Sequence, residues 1–275
     1  MGLKYMEIDF EKIWQEYMQE KEGYDRERAF NDNIERDFWK VLAPQYDSRS
    51  TLYDYSKEVY DFIDELIPPD KSIIEIGPGT GKFTIPLGKK CRRVIAVDFS
   101  SDMLEILKGK TRELNINNVD MLEGKWEDIN LQEQDYILSV NSLYRIWNIK
   151  DALIKMNKLA REKVVIVRTI QKIFLNDLFV QLGFKDKTCL DYIYLPNILH
   201  SLNICANIRY IDVENEIEFE SLEDIYSRIK DEVGEVEEKF IINEFVKRNF
   251  VNTGKKYIFT HKTKVEIIYW NSSKY

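Results

Sequence analysis

The sequence is poor in the residue types that build disulfide, redox and metal sites. It contains three cysteines, Cys91, Cys189 and Cys205, and two histidines among its 275 residues. The cysteines are odd in number and form no C-x-x-C pair, which is typical of reduced thiols in a cytosolic protein. We therefore expect no disulfide framework, no metal site and a cytoplasmic location.

Long apolar runs and an excess of positive charge are also missing. No apolar run approaches the 18 residues that would indicate a membrane span, and no signal peptide opens the chain. The net charge is −8, from 40 basic and 48 acidic residues. Because an acidic surface holds a phosphate backbone poorly, nucleic acid is a disfavoured partner. The hydrophobic content of 44% fits a globular chain with one substantial core.

The stretch from Ser72 to Ser101 has the pattern of a β-α-β unit with a nucleotide-binding turn. Two short apolar runs, Ile73–Ile76 and Val94–Val97, predict buried parallel strands, and the second ends at an acid, Asp98. Between them lie a glycine-rich turn and a segment with a helical apolar pattern. Ligands bind at the carboxyl ends of such strands, so we expect the functional site there.

The spacing of the glycines excludes two common nucleotide motifs. A dinucleotide fingerprint would require glycine where this chain has Lys82, and the Gly-x-x-x-x-Gly-Lys-Ser/Thr pattern is absent. The observed pattern is Glu-x-Gly-x-Gly-x-Gly over residues 75–81, followed by the acid at the end of the second strand. It resembles the class I S-adenosylmethionine-dependent methyltransferases. The resemblance implies S-adenosylmethionine as cofactor and S-adenosylhomocysteine as product.

The resemblance also implies which residues contact the cofactor. Asp98 would accept hydrogen bonds from both ribose hydroxyls, Phe99 would lie beside the adenine, and Tyr46 of the Ala-Pro-x-Tyr-Asp segment would flank the methionine end. Each hydrogen bond to a charged acceptor contributes roughly 1.5–3 kcal/mol. The alternative interpretation of Asp98 is a helix N-cap. The expected cofactor contacts are Tyr46, Glu75, Gly77, Gly79, Gly81, Asp98, Phe99, Trp126 and Asn141.

One position departs from the family pattern. The predicted third strand, Val119–Leu122, leads into Glu-Gly-Lys-Trp, and Lys125 stands where the family has an acid that receives the adenine amino group. Glu123, Glu127 or a backbone carbonyl could take that role, and the sequence does not choose among them. The same departure leaves open the alternative that the chain is a methyltransferase-fold protein that has lost activity and serves as a binding or assembly subunit.

The remaining apolar patterns predict the rest of the fold. Parallel strands are expected at residues 136–140 and 164–168, and an antiparallel edge at residues 208–219 and 256–270. With the resemblance, they predict an α/β, Rossmann-like seven-stranded methyltransferase sheet with flanking helices. We expect an N-terminal helical cap over residues 1–70, a methyltransferase domain over residues 71–275, a lid inserted at about residues 170–207, and one compact unit overall.

The sequence offers no recognised catalytic base. Neither His200 nor His261 lies in a known motif, and methyl transfer from a sulfonium needs a base only when the acceptor must lose a proton. Candidates for lining the acceptor site are Tyr144, after the fourth strand, and Tyr192, Tyr194 and His200 of the lid. We expect methyl transfer to a small molecule of unknown identity. A protein or tRNA methylase and a nicotinamide dehydrogenase are the alternatives, and the oligomeric state stays open.

Overall fold

The structure is a computed structural model that describes residues 8–50, 54–170, 175–184, 191–234 and 238–272. Within these ranges the strands are β1 (Ser72–Ile76), β2 (Arg93–Asp98), β3 (Val119–Glu123), β4 (Gln134–Val140), β5 (Ala160–Ile170), β6 (Asn207–Phe219), β7 (Phe250–Asn252) and β8 (Tyr257–Asn271). The helices are α1 (Phe10–Gln19), α2 (Gly23–Phe30), α3 (Asp32–Leu42), α4 (Tyr46–Ser50), α5 (Ser56–Leu66), α6 (Thr84–Lys90), α7 (Ser101–Glu113), α8 (Ile149–Leu159), α9 (Asn176–Gln181), α10 (Asp191–Ser201), α11 (Leu222–Val233) and α12 (Lys239–Asn249).

The strands form one mixed sheet in the order β3-β2-β1-β4-β5-β8-β6, and β7 pairs with β8 beside that path. Strands β1 to β5 are parallel, whereas β8 runs antiparallel to both β5 and β6. The predicted α/β sheet with an antiparallel edge is therefore confirmed. The three-residue β7 makes eight strands among the described residues, one more than the predicted seven.

Helices cover both faces of the sheet, which explains why its central strands are continuously apolar. In β1 every residue is buried, and neighbouring side chains enter different cores. Ile74 packs in the core that contains Leu153 of α8, whereas Ile73 packs with Ile63 of α5 and Leu87 of α6. A parallel strand between two helical layers has no solvent face, so its sequence does not alternate.

Helix α10 lies within the range of the predicted lid, residues 170–207, and one of its faces packs on the sheet. Leu195, Ile198 and Leu199 are fully buried and pack with Ile166 of β5 and Ile268 of β8. Their i, i+3, i+4 spacing places them on one face of the helix, and that face covers the sheet. Helix α10 is therefore a covering helix of the core. Residues 171–174 and 185–190 of the predicted lid lie outside the described residues.

The N-terminal helices contact the loops at the carboxyl ends of the strands. Trp14 of α1 donates a hydrogen bond from Nε1 to the carbonyl of Ile146 after β4, at 2.8 Å. Arg36 of α3 donates to the carbonyl of Phe99 after β2, also at 2.8 Å. We call α1 to α4 the cap helices. None of the helices in the described ranges combines the length and apolar character needed to cross a bilayer.

Candidate active site

A cavity of about 700 Å³ lies between the carboxyl ends of the parallel strands and the cap helices. This volume is within the range of small-molecule sites in proteins. Its floor comes from the glycine-rich turn after β1, the end of β2, the loops after β3 and β4, and the end of β5. On the opposite side the cavity is lined by cap residues, namely Met18, Ala29, Phe30, Asp32, Glu35, Trp39 and Tyr46.

The glycines of the turn have different structural roles. Gly77 has φ +67°, and a Cβ there would lie 2.3 Å from the Cβ of Ser142, so no side chain fits. Gly79 has φ +56°, and a Cβ there would meet nothing within 4 Å because it would point into open space. Gly81 does not line the cavity and packs against Leu107. The turn thus packs closely at both ends and leaves room at its middle glycine.

Asp98 lies beside this turn with its carboxylate at the cavity. Its Oδ2 accepts a hydrogen bond from the Gly79 N–H at 3.0 Å, and its Oδ1 accepts one from the Ser100 N–H at 2.9 Å. Burial raises the pKa of Asp98, although these backbone donors oppose the rise. Helix α7 is capped by Ser100, whose Oγ accepts from the Met103 N–H. Asp98 is therefore not the N-cap of this helix.

Glu75 is a buried carboxylate on β1 that also lines the cavity. It is 2% exposed and accepts a hydrogen bond from Thr84 Oγ1 at 2.6 Å. Burial raises the pKa of Glu75 to about 7, although the hydrogen bond from Thr84 opposes the rise. At neutral pH the ionisation of Glu75 therefore depends on the charge of the group that binds beside it.

The Ala-Pro-x-Tyr-Asp segment is bound to the glycine-rich turn. Asp47 accepts a hydrogen bond from Thr80 Oγ1 at 2.6 Å and forms an ion pair with Lys110 at 2.6 Å. Lys82, which follows the same turn, forms an ion pair with Asp54 at 2.9 Å. These contacts place Tyr46 at the cavity. The sequence pattern contained Asp47 but did not indicate these partners.

A second buried carboxylate, Glu35 of α3, joins the cap helices to the loop after β4. It is 1% exposed and accepts hydrogen bonds from Arg28 Nε, Trp39 Nε1 and the Tyr144 hydroxyl, each at 2.8 Å. Sequence reasoning missed Glu35. A charged residue four positions before Trp39, on the same helical face, was the available signal.

Three tyrosines line the cavity as neutral phenols. Burial raises the pKa of Tyr46 to about 12, and burial also raises the pKa values of Tyr55 and Tyr144. The Tyr144 hydroxyl donates its proton to Glu35, so its oxygen can only accept further hydrogen bonds. At neutral pH these groups can orient a bound molecule, but they are poor proton acceptors.

Asn141 follows the last residue of β4 and has a left-handed conformation with φ +50°. Its Nδ2 donates to the Tyr55 hydroxyl at 2.6 Å and to Thr169 Oγ1 at 2.7 Å. Its Oδ1 accepts from the Thr169 N–H at 2.9 Å and from Arg168 at 3.3 Å. Both amide protons of Asn141 are committed, so its side chain stabilises the cavity floor. Arg168 also pairs with Asp191 of α10.

Three cations surround Phe99 at the other end of the cavity. The guanidinium of Arg36 lies 4.1 Å from the ring centre, that of Arg145 lies 5.3 Å away, and the ammonium of Lys125 lies 6.0 Å away. Asp32 of α3 pairs with Lys125 and, at 3.1 Å, with Arg145. The lysine that departs from the family pattern therefore has a carboxylate partner supplied by the cap.

Residues 73–163 match a family model described as a methyltransferase domain. The match begins in β1 and ends in β5, so it contains the glycine-rich turn and Asp98. This segment therefore belongs to the methyltransferase family of that model. S-adenosylmethionine is the cofactor of this family.

Curated relatives share part of this chain. A Haemophilus influenzae protein described as uncharacterized is 28% identical over 177 residues, covering 63% of this chain and 66% of its own length. The release factor glutamine methyltransferase of Aliivibrio fischeri is 33% identical over 40% of each chain. A probable ribosomal RNA small subunit methyltransferase A of Pyrobaculum islandicum is 34% identical over 42% of this chain and 44% of its own. The chain thus spans less than two thirds of each of these three relatives.

Solved structures share the fold over a larger part of the chain. The YcgJ protein of Bacillus subtilis superposes with a TM-score of 0.53 and 15% identity, covering 80% of this chain and 99% of that one. The magnesium protoporphyrin IX methyltransferase of Synechocystis, solved with bound S-adenosylhomocysteine, gives a TM-score of 0.52 and 13% identity, covering 86% and 98%. These similarities show the methyltransferase fold.

The predicted site residues fall into two groups in this methyltransferase fold. Eight of the nine expected cofactor contacts line the cavity, and Gly81 does not. Tyr144 also lines it, whereas Tyr192, Tyr194 and His200 lie on α10 and are not among its lining residues. Tyr194 packs edge-on against Tyr17 at 5.9 Å between ring centres, and His200 is exposed. The apolar face of α10 covers the sheet, which places these three side chains away from the cavity.

Proposed function

We propose that this chain transfers the methyl group of S-adenosylmethionine to a small-molecule acceptor bound on the cap side of the cavity. The observation that supports the proposal best is Asp98 at the end of β2, joined by its Oδ2 to the N–H of Gly79. Each carboxylate oxygen of Asp98 accepts one backbone hydrogen bond, which leaves further lone pairs for the two ribose hydroxyls.

The other cavity residues fit the remaining parts of this cofactor. The open space at Gly79 allows a ligand to approach the backbone closely. Glu75 would pair with the ammonium group of the methionine end, since an ionised carboxylate buried there requires a cation. Tyr46 would place an aromatic face near the sulfonium. Phe99 and Trp126 would flank the adenine, and both line the cavity.

The bound cofactor supplies an electrophilic methyl group, and the protein positions the acceptor and excludes water. Reaction requires the acceptor atom within about 3–3.5 Å of the methyl carbon and the exclusion of competing water. The hydroxyls of Tyr55 and Tyr144 would orient the acceptor by hydrogen bonding, since both are fixed by neighbouring side chains. Because these tyrosines remain protonated, we assign them no role as a base.

A small molecule is favoured over RNA or protein because the cap helices lie across the cavity from the sheet. The cap helices line the cavity on the side facing away from the sheet, and the net charge of −8 opposes a phosphate backbone. Glu35, Trp39 and Tyr144 form a hydrogen-bonded wall at the acceptor side, which suits an acceptor small enough to be enclosed.

Transfer of labelled methyl groups tests the proposal. The purified protein is incubated with methyl-labelled S-adenosylmethionine and with separated small-molecule, RNA and protein fractions of a cell extract. Label is expected in the small-molecule fraction, and Asp98→Ala is the inactive control. Label in the RNA or protein fraction would contradict a small acceptor. Absence of label from all fractions, with S-adenosylhomocysteine bound normally, would favour a binding protein without transfer activity.

A further inference from the structure

The adenine end of the cavity contains an unexpected acid from the cap. If the ribose is bound at Asp98 and the methionine end at Glu75 of β1, which rests on the proposed function, the sheet order β3-β2-β1 directs the base toward β3. The methionine end extends over the turn after β1, and the base extends toward the loop after β3. The cavity wall there consists of Phe99 and residues 124–127, with Asp32 of α3 opposite.

Glu123, Glu127 and Asp32 are three of the carboxylates near this loop, and their surroundings differ. Glu123 forms an ion pair with Arg36 at 3.0 Å and is not among the cavity-lining residues. Glu127 lines the cavity but is exposed to solvent. Asp32 lines the cavity and is held from two sides by Lys125 and Arg145, both of which line it as well. Only Asp32 is therefore both at the cavity and fixed in position.

We propose that Asp32 accepts a hydrogen bond from the amino group of adenine, with the Lys125 ammonium beside it facing the adjacent ring nitrogen. The edge of adenine presents a donor, the amino group, next to an acceptor, the ring nitrogen. Asp32 and Lys125 present an acceptor next to a donor, because the two side chains are in contact. The cap thus supplies the acid that the loop after β3 lacks.

The local structure keeps Asp32 ionised and oriented. Burial would raise its pKa, but the hydrogen bonds from Lys125 and Arg145 outweigh burial and hold the pKa below its usual value. Asp32 is the first residue of α3, where the helix dipole favours a negative charge. The two ion pairs leave part of the carboxylate's acceptor capacity unused, since an ionised carboxylate has about four lone-pair sites.

The amino group can be tested separately from the rest of the cofactor. Calorimetric titration compares S-adenosylhomocysteine with S-inosylhomocysteine, in which an oxygen replaces the adenine amino group and the ring nitrogen carries a proton. The unmodified protein should prefer the adenosyl form by at least about tenfold, because the inosyl form reverses both donor and acceptor. Asp32→Ala should bring the ratio of the two dissociation constants close to one.

The ratio of the dissociation constants isolates the contact with the amino group, because a general loosening of the cap would weaken the binding of both ligands equally. Asp32→Asn keeps the size of the side chain and should reduce the ratio partially, which provides a second variant if the alanine variant folds poorly. Asp37→Ala is the matched control, since Asp37 is an exposed acid on the same helix. It should leave the ratio unchanged.

The outcomes separate this inference from the proposed function. An unchanged ratio in Asp32→Ala, with S-adenosylhomocysteine still bound, would overturn the role of Asp32 and leave the proposed function intact. Loss of the ratio in Glu127→Ala and not in Asp32→Ala would assign the amino group to Glu127 instead. Failure of the unmodified protein to bind either ligand would overturn both proposals.

Discussion

At the scale of single residues, the ionisation of Glu75 should make ligand binding in the cavity depend on pH. The carboxyl is buried with a pKa of about 7, so below this value it is mostly protonated in the free protein. A ligand ammonium beside it favours the ionised form. We predict that the dissociation constant of S-adenosylhomocysteine rises as pH falls below about 7, by up to about tenfold per pH unit. Calorimetric titrations between pH 5.5 and 8 measure this dependence.

Glu75→Gln supplies the control for that prediction. The amide cannot ionise, so binding should be weaker at pH 8 and nearly constant across the range. The unliganded stability gives an independent check. The pKa of Glu75 is raised in the folded state, so its contribution to stability falls as pH rises from about 4.5 to about 7. The variant should therefore gain stability relative to the unmodified protein over that window, and a relative loss would contradict the pKa assignment.

The site residues that could be predicted from the sequence have partners nearby along the chain, whereas those that could not be predicted have distant partners. The glycines, Glu75 and Asp98 belong to one continuous motif, and Asp98 contacts Gly79 only 19 positions away. Glu35 contacts Tyr144 across 109 positions, and Asp32 contacts Arg145 across 113. A pattern read along the chain contains no information on such distant pairs, so the acids of the cap could not be assigned without the fold.

At the scale of elements, the glycine-rich turn contains one glycine required for packing and, two positions later, one that leaves room for a ligand. Gly77→Ala should destabilise the fold, by roughly 1–3 kcal/mol or more, because its Cβ would overlap Ser142. Gly79→Ala should remain folded but lose most S-adenosylhomocysteine binding, since its Cβ would project into the cavity. Denaturant unfolding and calorimetry measure the two effects.

Gly254→Ala is the matched control for Gly79→Ala. Gly254 also has positive φ, +78°, with open space around its Cβ position, but it lies in the turn before β8. It should show a similar backbone strain, of the order of 1–2 kcal/mol, and normal binding. If Gly79→Ala binds as well as Gly254→Ala, the turn is not where the cofactor approaches.

Helix α10 shows why a segment can be predicted while the surface it packs against cannot. A lid was expected at about residues 170–207, and α10 (Asp191–Ser201) lies in that range. Its apolar positions were consistent with either a lid or a covering helix, because both bury one face. The partner of that face, formed by β5 and β8, is determined by the antiparallel edge of the sheet.

At the scale of the whole molecule, the first cap helix shares the main core. Trp14 and Met18 are each 1% exposed and belong to the same buried cluster as Leu153 and Leu195. We predict that Trp14→Ala lowers the free energy of unfolding by about 3–5 kcal/mol, because it leaves a cavity and removes the bond to Ile146. Chemical denaturation measures this change.

Lys12→Ala is the control on the same helix, since Lys12 is mostly exposed and pairs only at the surface with Glu16. It should change stability by less than about 1 kcal/mol. If Trp14→Ala changed stability as little as Lys12→Ala, the first cap helix would not be part of the main core.

The central claim, that this cavity binds the cofactor through Asp98, is tested most directly by one calorimetric titration. S-adenosylhomocysteine is titrated into the unmodified protein, into Asp98→Ala and into Asp120→Ala, whose side chain is an exposed acid on β3. We predict binding to the unmodified protein and to Asp120→Ala, and at least about tenfold weaker binding to Asp98→Ala, because charge-assisted hydrogen bonds are lost. Equal affinity for a correctly folded Asp98→Ala, or no binding to the unmodified protein, would contradict the account.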